Sequence, residues 1–446
     1  MLPALTLLRR RLAMVLADKT EQGHVVDGLP EKLRDLPESY DSVMEFARLL
    51  AALPLRDDWP YVEPNEWEAI EAELAPDRPR SPLATLDANS AARVETAFLS
   101  SVCGCMVGKP LEIRPTLAEI RTALEAINEW PLSNYISERL AMRGTHEFHS
   151  TWPQTVRERI KYAAPDDDIN YTVLGMLILE EYGLDFTHDQ MRQLWLTNIP
   201  PYQAFGPERM FIFRAGASVN DAETRDEAFY QELVTVGNPE DEHCGAMIRA
   251  DAYGYASAGN PAQAARLAWQ DASLTHRRTG IYGTMFAAAA IAAAPALRDP
   301  LAIFETALKF VPQRSRFHRI VSDALNEIGQ ATDWLDGYAR IHAKYGEYGH
   351  CRIYQESGTL INTLRFAESI GDGFCKQVSQ GNDTDSYGAT SGSILGMFFG
   401  PGHLEERWLV PLNDTIYTTL AGFHEQSLSR LARRMSELPA RFAQIV

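Results

Sequence analysis

The chain has 446 residues, 45% hydrophobic and 23% charged, with 42 Lys and Arg against 60 Asp and Glu for a net charge of −18. A chain of this length buries a sizeable core without staples, and the composition is that of a globular protein, not a disordered one. The acidic balance excludes a protein held to nucleic acid or to an anionic membrane by its overall field, because both kinds of binding rest on Lys and Arg.

Residues 1–82 read as a helical N-terminal extension that ends in a Pro-rich linker. Leu7, Leu8, Leu12 and Val15 recur at helical spacing. The basic triplet Arg9 to Arg11 follows the apolar stretch instead of preceding it, and no small-residue cleavage site follows. An amphipathic helix is therefore expected there, not a secretory signal. Pro76, Pro79 and Pro82 fall every third residue, the pattern of a stiff linker.

The second unit, residues 83–446, reads as helical throughout. Val94, Phe98 and Val102 stand one turn apart ahead of Gly104 and Gly108. Val173 to Leu179 is apolar almost all round, as in a helix buried inside a bundle. Residues 261–272 start with Pro at a first helical position. The uncharged run Thr279 to Leu297 approaches a membrane-spanning length. It is mostly alanine, however, and carries Gly280, Gly283 and Pro295, so a central helix packed on other helices is expected. Gly388, Gly392, Gly396 and Gly400 recur every fourth residue, on one helix face. Each costs up to about 1 kcal/mol relative to alanine, which implies a very close backbone contact. Strand alternation is nowhere sustained, and the fold class is all-α.

Five cysteines, at 103, 105, 244, 351 and 375, form no CxxC pair. Cys103 and Cys105 have no matching second pair, so zinc is not expected and the thiols read as buried and free. That usage fits a reducing compartment, and a cytoplasmic location is expected.

Two acidic clusters stand at predicted helix starts: Asp166, Asp167 and Asp168, and then Asp383 and Asp385. One such cluster is explained by capping and by the helix dipole. Five carboxylates on two central helices are costly without a cation. Ser386 adds a hydroxyl, and no His or Cys adjoins either cluster in sequence. Oxygen donors of this kind favour magnesium, with manganese as the alternative, and their number points to two ions.

Two families carry such clusters on helices. Asp166-Asp167-Asp168-Ile169-Asn170 loosely resembles the aspartate-rich motif of terpene synthases, and Asn382, Asp383 and Ser386 match three positions of their second motif. Thr390 stands where that motif has a carboxylate. The chain more closely resembles the ADP-ribosylglycohydrolase family, from about residue 95 to 425, through five segments in order. These are Gly104 to Glu112, Asp166 to Asp168, Gly245 to Arg249, Thr275-His276 with the alanine run, and Gly381-Asn382-Asp383-Thr384-Asp385-Ser386 through Gly400. Asp166 replaces the family's usual threonine and Ser386 its last threonine, and both keep an oxygen.

This resemblance implies an orthogonal multi-helix bundle with a central binuclear metal cleft. It implies hydrolysis at C1″ of an ADP-ribosyl group carried by a protein or small molecule. Asp166, Asp167, Asp168, Asp383, Asp385 and Ser386 are the expected metal ligands. Glu112, as acid/base or mobile gate, and Asp168 are the expected catalytic residues. Gly245, Ala246 and Met247 are expected to offer backbone N–H groups to the pyrophosphate, since a loop opening a helix suits anions, with Arg249 as a further aid. His276 is expected to touch the ribose or to order the pocket. Tyr387 and Phe205 are candidates for stacking on adenine, and Asp241 and Glu242 read as a solvated loop, with a second carboxylate for the site as the alternative. A non-catalytic ADP-ribose binder and a terpene-synthase-like enzyme are the alternatives.

Overall fold

The computed structural model describes residues 4–85, 88–112, 115–141, 148–217 and 226–442. Among these residues every regular element is a helix, and only isolated β-bridges occur. The arrangement is all-α, as the patterning requires.

Its centre is the pair of helices Ala88–Gly108 and Thr384–Phe399. A Cβ at Gly388 would lie 2.4 Å from the Gly104 carbonyl oxygen, one at Gly392 2.3 Å from that of Ser100, and one at Gly396 2.3 Å from the Ala97 Cα. The glycine stripe therefore lets two backbones touch. Gly400 has another use: it ends the helix at φ +82°, where only glycine is unstrained.

The Asp167–Tyr182 helix is buried on nearly every side, with Asp168 to Met176 all inaccessible, and Gly183 at φ +75° ends it. Every residue of the Thr279–Ala293 helix is buried, which accounts for its lack of charged side chains. No described helix is long and apolar enough to cross a membrane. The Pro261–Ala272 helix starts at its proline, with Asn260 accepting the Gln263 N–H.

The N-terminal helices Leu5–Glu21 and Tyr40–Ala51 make a small core of their own from Leu12, Val15, Leu16, Val43, Phe46, Ala47 and Leu50, joined by Val236 of the main body. Polar contacts fasten this unit to the body. Arg278 donates to the Gln22 carbonyl (3.0 Å) and Arg316 to that of Glu21 (2.8 Å). The Pro-rich segment lies along the body as well, with Ala75 N–H on the Lys309 carbonyl (3.1 Å) and Leu83 N–H on that of Gly259 (2.7 Å).

Candidate metal centre

The two acidic clusters, more than 200 residues apart, meet where the Asp167–Tyr182 and Thr384–Phe399 helices begin. Asp166 is the N-cap of the first, its Oδ1 accepting the Asp168 N–H at 3.0 Å. The cap uses one oxygen and leaves Oδ2 for the cleft. The turn into the second helix uses left-handed residues, Gly381 at φ +82° and Asn382 at φ +64°. A Cβ on Gly381 would lie 2.2 Å from the Pro115 carbonyl oxygen, so glycine there brings the chain close enough to place Asp383. Ser386 Oγ donates to Asp168 Oδ2 at 3.3 Å, linking the clusters directly.

Lys109 is the group at their centre. Its Nζ lies 2.6 Å from Glu112 Oε2, 2.7 Å from Asp166 Oδ2 and 2.9 Å from Asp385 Oδ2. Burial alone would lower a lysine pKa, but here Asp166, Asp385 and Glu112 outweigh it and hold the ammonium charged. Burial works against Asp385 too, and Lys109 overrides it, holding this carboxyl down at about 2. Burial and then Asp385 push Glu112 up to about 10, with Lys109 opposing. Asp383 rises to about 7 through burial and the charge of Asp385. Burial and the charge of Asp166 raise Asp167 and Asp168 well above the usual carboxylate range.

One ammonium is thus too little positive charge for this many carboxylates. Asp168 Oδ1 is buried and accepts no hydrogen bond. That orphaned oxygen, its carboxylate neighbours and the Ser386 hydroxyl are donors that suit a hard dication, and the chemistry of the set fits magnesium or manganese.

A cavity of about 340 Å³ opens onto this centre. Glu112, Asp167, Asp383, Ser386, Phe205 and Gly245 line it, so the structure brings these predicted residues together. Gly245 is needed there because a Cβ would come within 2.8 Å of the Glu208 carboxylate. Cys244, Cys351, His243 and His350 also line the cavity. The absence of Cys and His beside the clusters holds along the chain but not in space. A roomier surface cavity of about 530 Å³ lies elsewhere, beside His188 and Asp189. Asp189 is already engaged there by Arg192 and Tyr230.

Several predicted contacts are corrected. Arg249 is buried between Glu208 and Asp271, with its guanidinium paired to both, so it is not available to a pyrophosphate. His276 is fully buried, its Nδ1 2.8 Å from Thr275 Oγ1 and 3.5 Å from Glu208 Oε1. It stands behind the cavity wall beside Glu208, which lines it, so contact with the ribose is excluded and the alternative, that it orders the pocket, stands. Burial and then Arg249 push its pKa well down, which keeps it neutral. Tyr387 is buried, with its hydroxyl on Met247 Sδ (3.5 Å), and offers adenine no face. Ala246 and Met247 are buried behind Gly245. Asp241 and Glu242 are not in a solvated loop. Asp241 accepts from Gln22 Nε2 at 2.6 Å, and Glu242 pairs with Arg316, so both anchor elements around the N-terminal unit.

Sequence reasoning missed Lys109, although a signal was there. It is the single charged residue between Glu95 and Glu112, in a stretch that is otherwise small and apolar. A lone lysine in such a stretch must be buried, and a buried lysine must be paired.

The fold is all-α, and two acidic helix starts meet at one cleft. The family model described as ADP-ribosylglycohydrolase matches residues 86–441, and the chain belongs to that family. A solved structure described as an "ADP-ribosylglycohydrolase-related protein complex" is similar in fold. It is 17% identical, with a TM-score of 0.51 over 80% of this chain and 99% of that one. No curated protein matches the chain.

Proposed function

We propose that the protein is a magnesium-dependent hydrolase that cleaves the C1″ glycosidic bond of an ADP-ribosyl group on a protein or small-molecule acceptor. The observation that carries this reading is the convergence of Asp166–Asp168, Asp383, Asp385 and Ser386 on one cleft beside Glu112. These aspartates and Ser386 are the residues that would hold magnesium or manganese, as two ions in the family-based expectation. When bound, such ions neutralise the carboxylates, hold the ribose hydroxyls and activate water.

The chain's own residues do the rest. Glu112 is half-buried at the cavity wall. There it is placed to act as general acid toward the leaving group as the anomeric carbon becomes oxocarbenium-like. Lys109 fixes the Glu112 carboxyl by its 2.6 Å contact. Phe205, exposed at the rim, offers an apolar face to adenine. The net charge of −18 repels a pyrophosphate, so substrate capture falls to the local cations. The cysteine usage supports a reducing, cytoplasmic setting.

Release of ADP-ribose by the wild type, Asp383→Ala and Glu112→Gln, each with circular dichroism to confirm folding, tests the assignment. Loss of turnover in both folded variants is expected. Undiminished turnover in Asp383→Ala would refute the role given to the second cluster.

A further inference from the structure

We propose that Cys244, Cys351 and Asp383, with His350 beside Asp383, form a binding site for a thiophilic divalent cation of the zinc class, on the wall of the same cleft. Cys244 Sγ lies 3.3 Å and Cys351 Sγ 3.4 Å from Asp383 Oδ2. The three ligand atoms lie within 4.8 Å of one another, and His350, Glu356 and Asp383 form a second such triad that shares the same aspartate. Zn–S and Zn–O bonds of about 2.3 and 2.0 Å in a tetrahedron set an S···O edge of about 3.5 Å. The two observed edges match it.

The surroundings hold these groups in place. The Cys244 N–H donates to the Cys351 carbonyl at 3.1 Å, pinning the two thiol segments together. Cys351 at φ +64° and Ile353 at φ +66° are left-handed and not glycine. Such conformations persist only where the surroundings impose them. Glu356 does the imposing: its Oε1 accepts the N–H groups of Cys351 (3.1 Å) and Asp383 (3.3 Å), and its Oε2 that of Ile353 (3.1 Å). Glu356 is therefore committed to the backbone, and His350 stands beside Asp383 in the second triad as a further donor.

A second observation points to a ligand. His350 Nδ1 is buried and has no hydrogen-bond partner. Cys244, Cys351 and His350 all line the cavity, so an ion can reach them, whereas Cys103, Cys105 and Cys375 do not. Two thiols sharing one carboxylate oxygen is a weak arrangement for hydrogen bonding, because S–H is a poor donor. It is a good one for a soft cation. On binding, each thiol gives up its proton to solvent and two S–metal bonds form, so two protons leave per ion. Asp383 belongs to both ligand sets, which couples the thiols to the acidic centre.

The test uses the reduced full chain titrated with Co²⁺ and then Zn²⁺. One equivalent of Co²⁺ should give a thiolate-to-metal charge-transfer absorption that Zn²⁺ abolishes. The band should vanish in the Cys244→Ser, Cys351→Ser double variant and survive in Cys375→Ser. His350→Gln should weaken affinity at least tenfold. Should the double variant fail to fold, alkylation of the wild type followed by peptide mass spectrometry decides: Zn²⁺ must protect Cys244 and Cys351. Absence of the band, its persistence in a folded double variant, alkylation unaffected by Zn²⁺, or a Cys244–Cys351 disulfide in freshly purified protein would each overturn the proposal. None of these readouts requires turnover, so failure of the hydrolase reading is seen separately.

Discussion

Lys109→Met removes the one ammonium that Glu112, Asp166 and Asp385 share at 2.6, 2.7 and 2.9 Å. Methionine keeps the length of the side chain, so the change is mainly one of charge. Breaking a buried ion pair by deleting one partner costs about 3–5 kcal/mol. An unfolding entropy of about 2.1 cal/mol/K per residue gives about 0.9 kcal/mol/K for a chain of this length, so the Tm should fall by about 3–5 °C. A dication that binds the freed carboxylates opposes this loss. At a thousandfold excess over its Kd it contributes about 4 kcal/mol. Thermal melts in EDTA and in saturating magnesium or manganese read both effects. The variant should melt lower than the wild type in EDTA, and metal should raise the Tm of both. A variant that melts within about 1 °C of the wild type in EDTA would refute the reasoning, because the ammonium would then not be stabilising these carboxylates.

Two further predictions address the frame around the site. Gly392→Ala puts a Cβ 2.3 Å from the Ser100 carbonyl oxygen. Overpacking of about 1–3 kcal/mol should exceed the gain in helix propensity of about 1 kcal/mol, so a urea melt should show a net loss, and a stabilised variant would contradict the close contact. Asp251 is buried with only hydroxyls as partners, Thr172 Oγ1 at 3.4 Å among them, and burial raises its pKa from 3.8 to about 7. A carboxyl with a raised folded-state pKa stabilises fully below 3.8 and loses that contribution as pH rises through 7. The wild type should lose about 4 kcal/mol from this group between those limits. Asp251→Asn should remove that loss and be the more stable protein at pH 8 in urea unfolding, and equal pH slopes would refute the assignment.

The parts of the fold that are set by local periodicity were legible in the sequence. The Pro261 helix start, the buried Asp167–Tyr182 helix and the glycine stripe follow from spacing, because helix geometry repeats every few residues. The joining of the two acidic clusters was legible too, since five central carboxylates must share a cation. Groups that depend on long-range neighbours were not. Lys109 faces Asp385, and Cys244 faces Cys351, only because segments far apart in sequence converge. For the same reason Arg249, His276 and Tyr387 looked like ligand contacts by residue type, while burial beside Glu208, Asp271 and Met247 gives them structural partners instead. The proline triplet read as a stiff linker, and the structure lays it on the body through contacts that no local pattern encodes.

The most direct measurement is release of free ADP-ribose from a panel of arginine-, serine-, DNA- and small-molecule-linked ADP-ribosyl conjugates, with magnesium, with manganese and with chelator. Turnover of at least one conjugate with metal, abolished by chelation and restored by adding metal back, is the predicted result. Binding of ADP-ribose without turnover of any conjugate, or turnover that chelation leaves untouched, would contradict a metal-dependent ADP-ribosyl hydrolase.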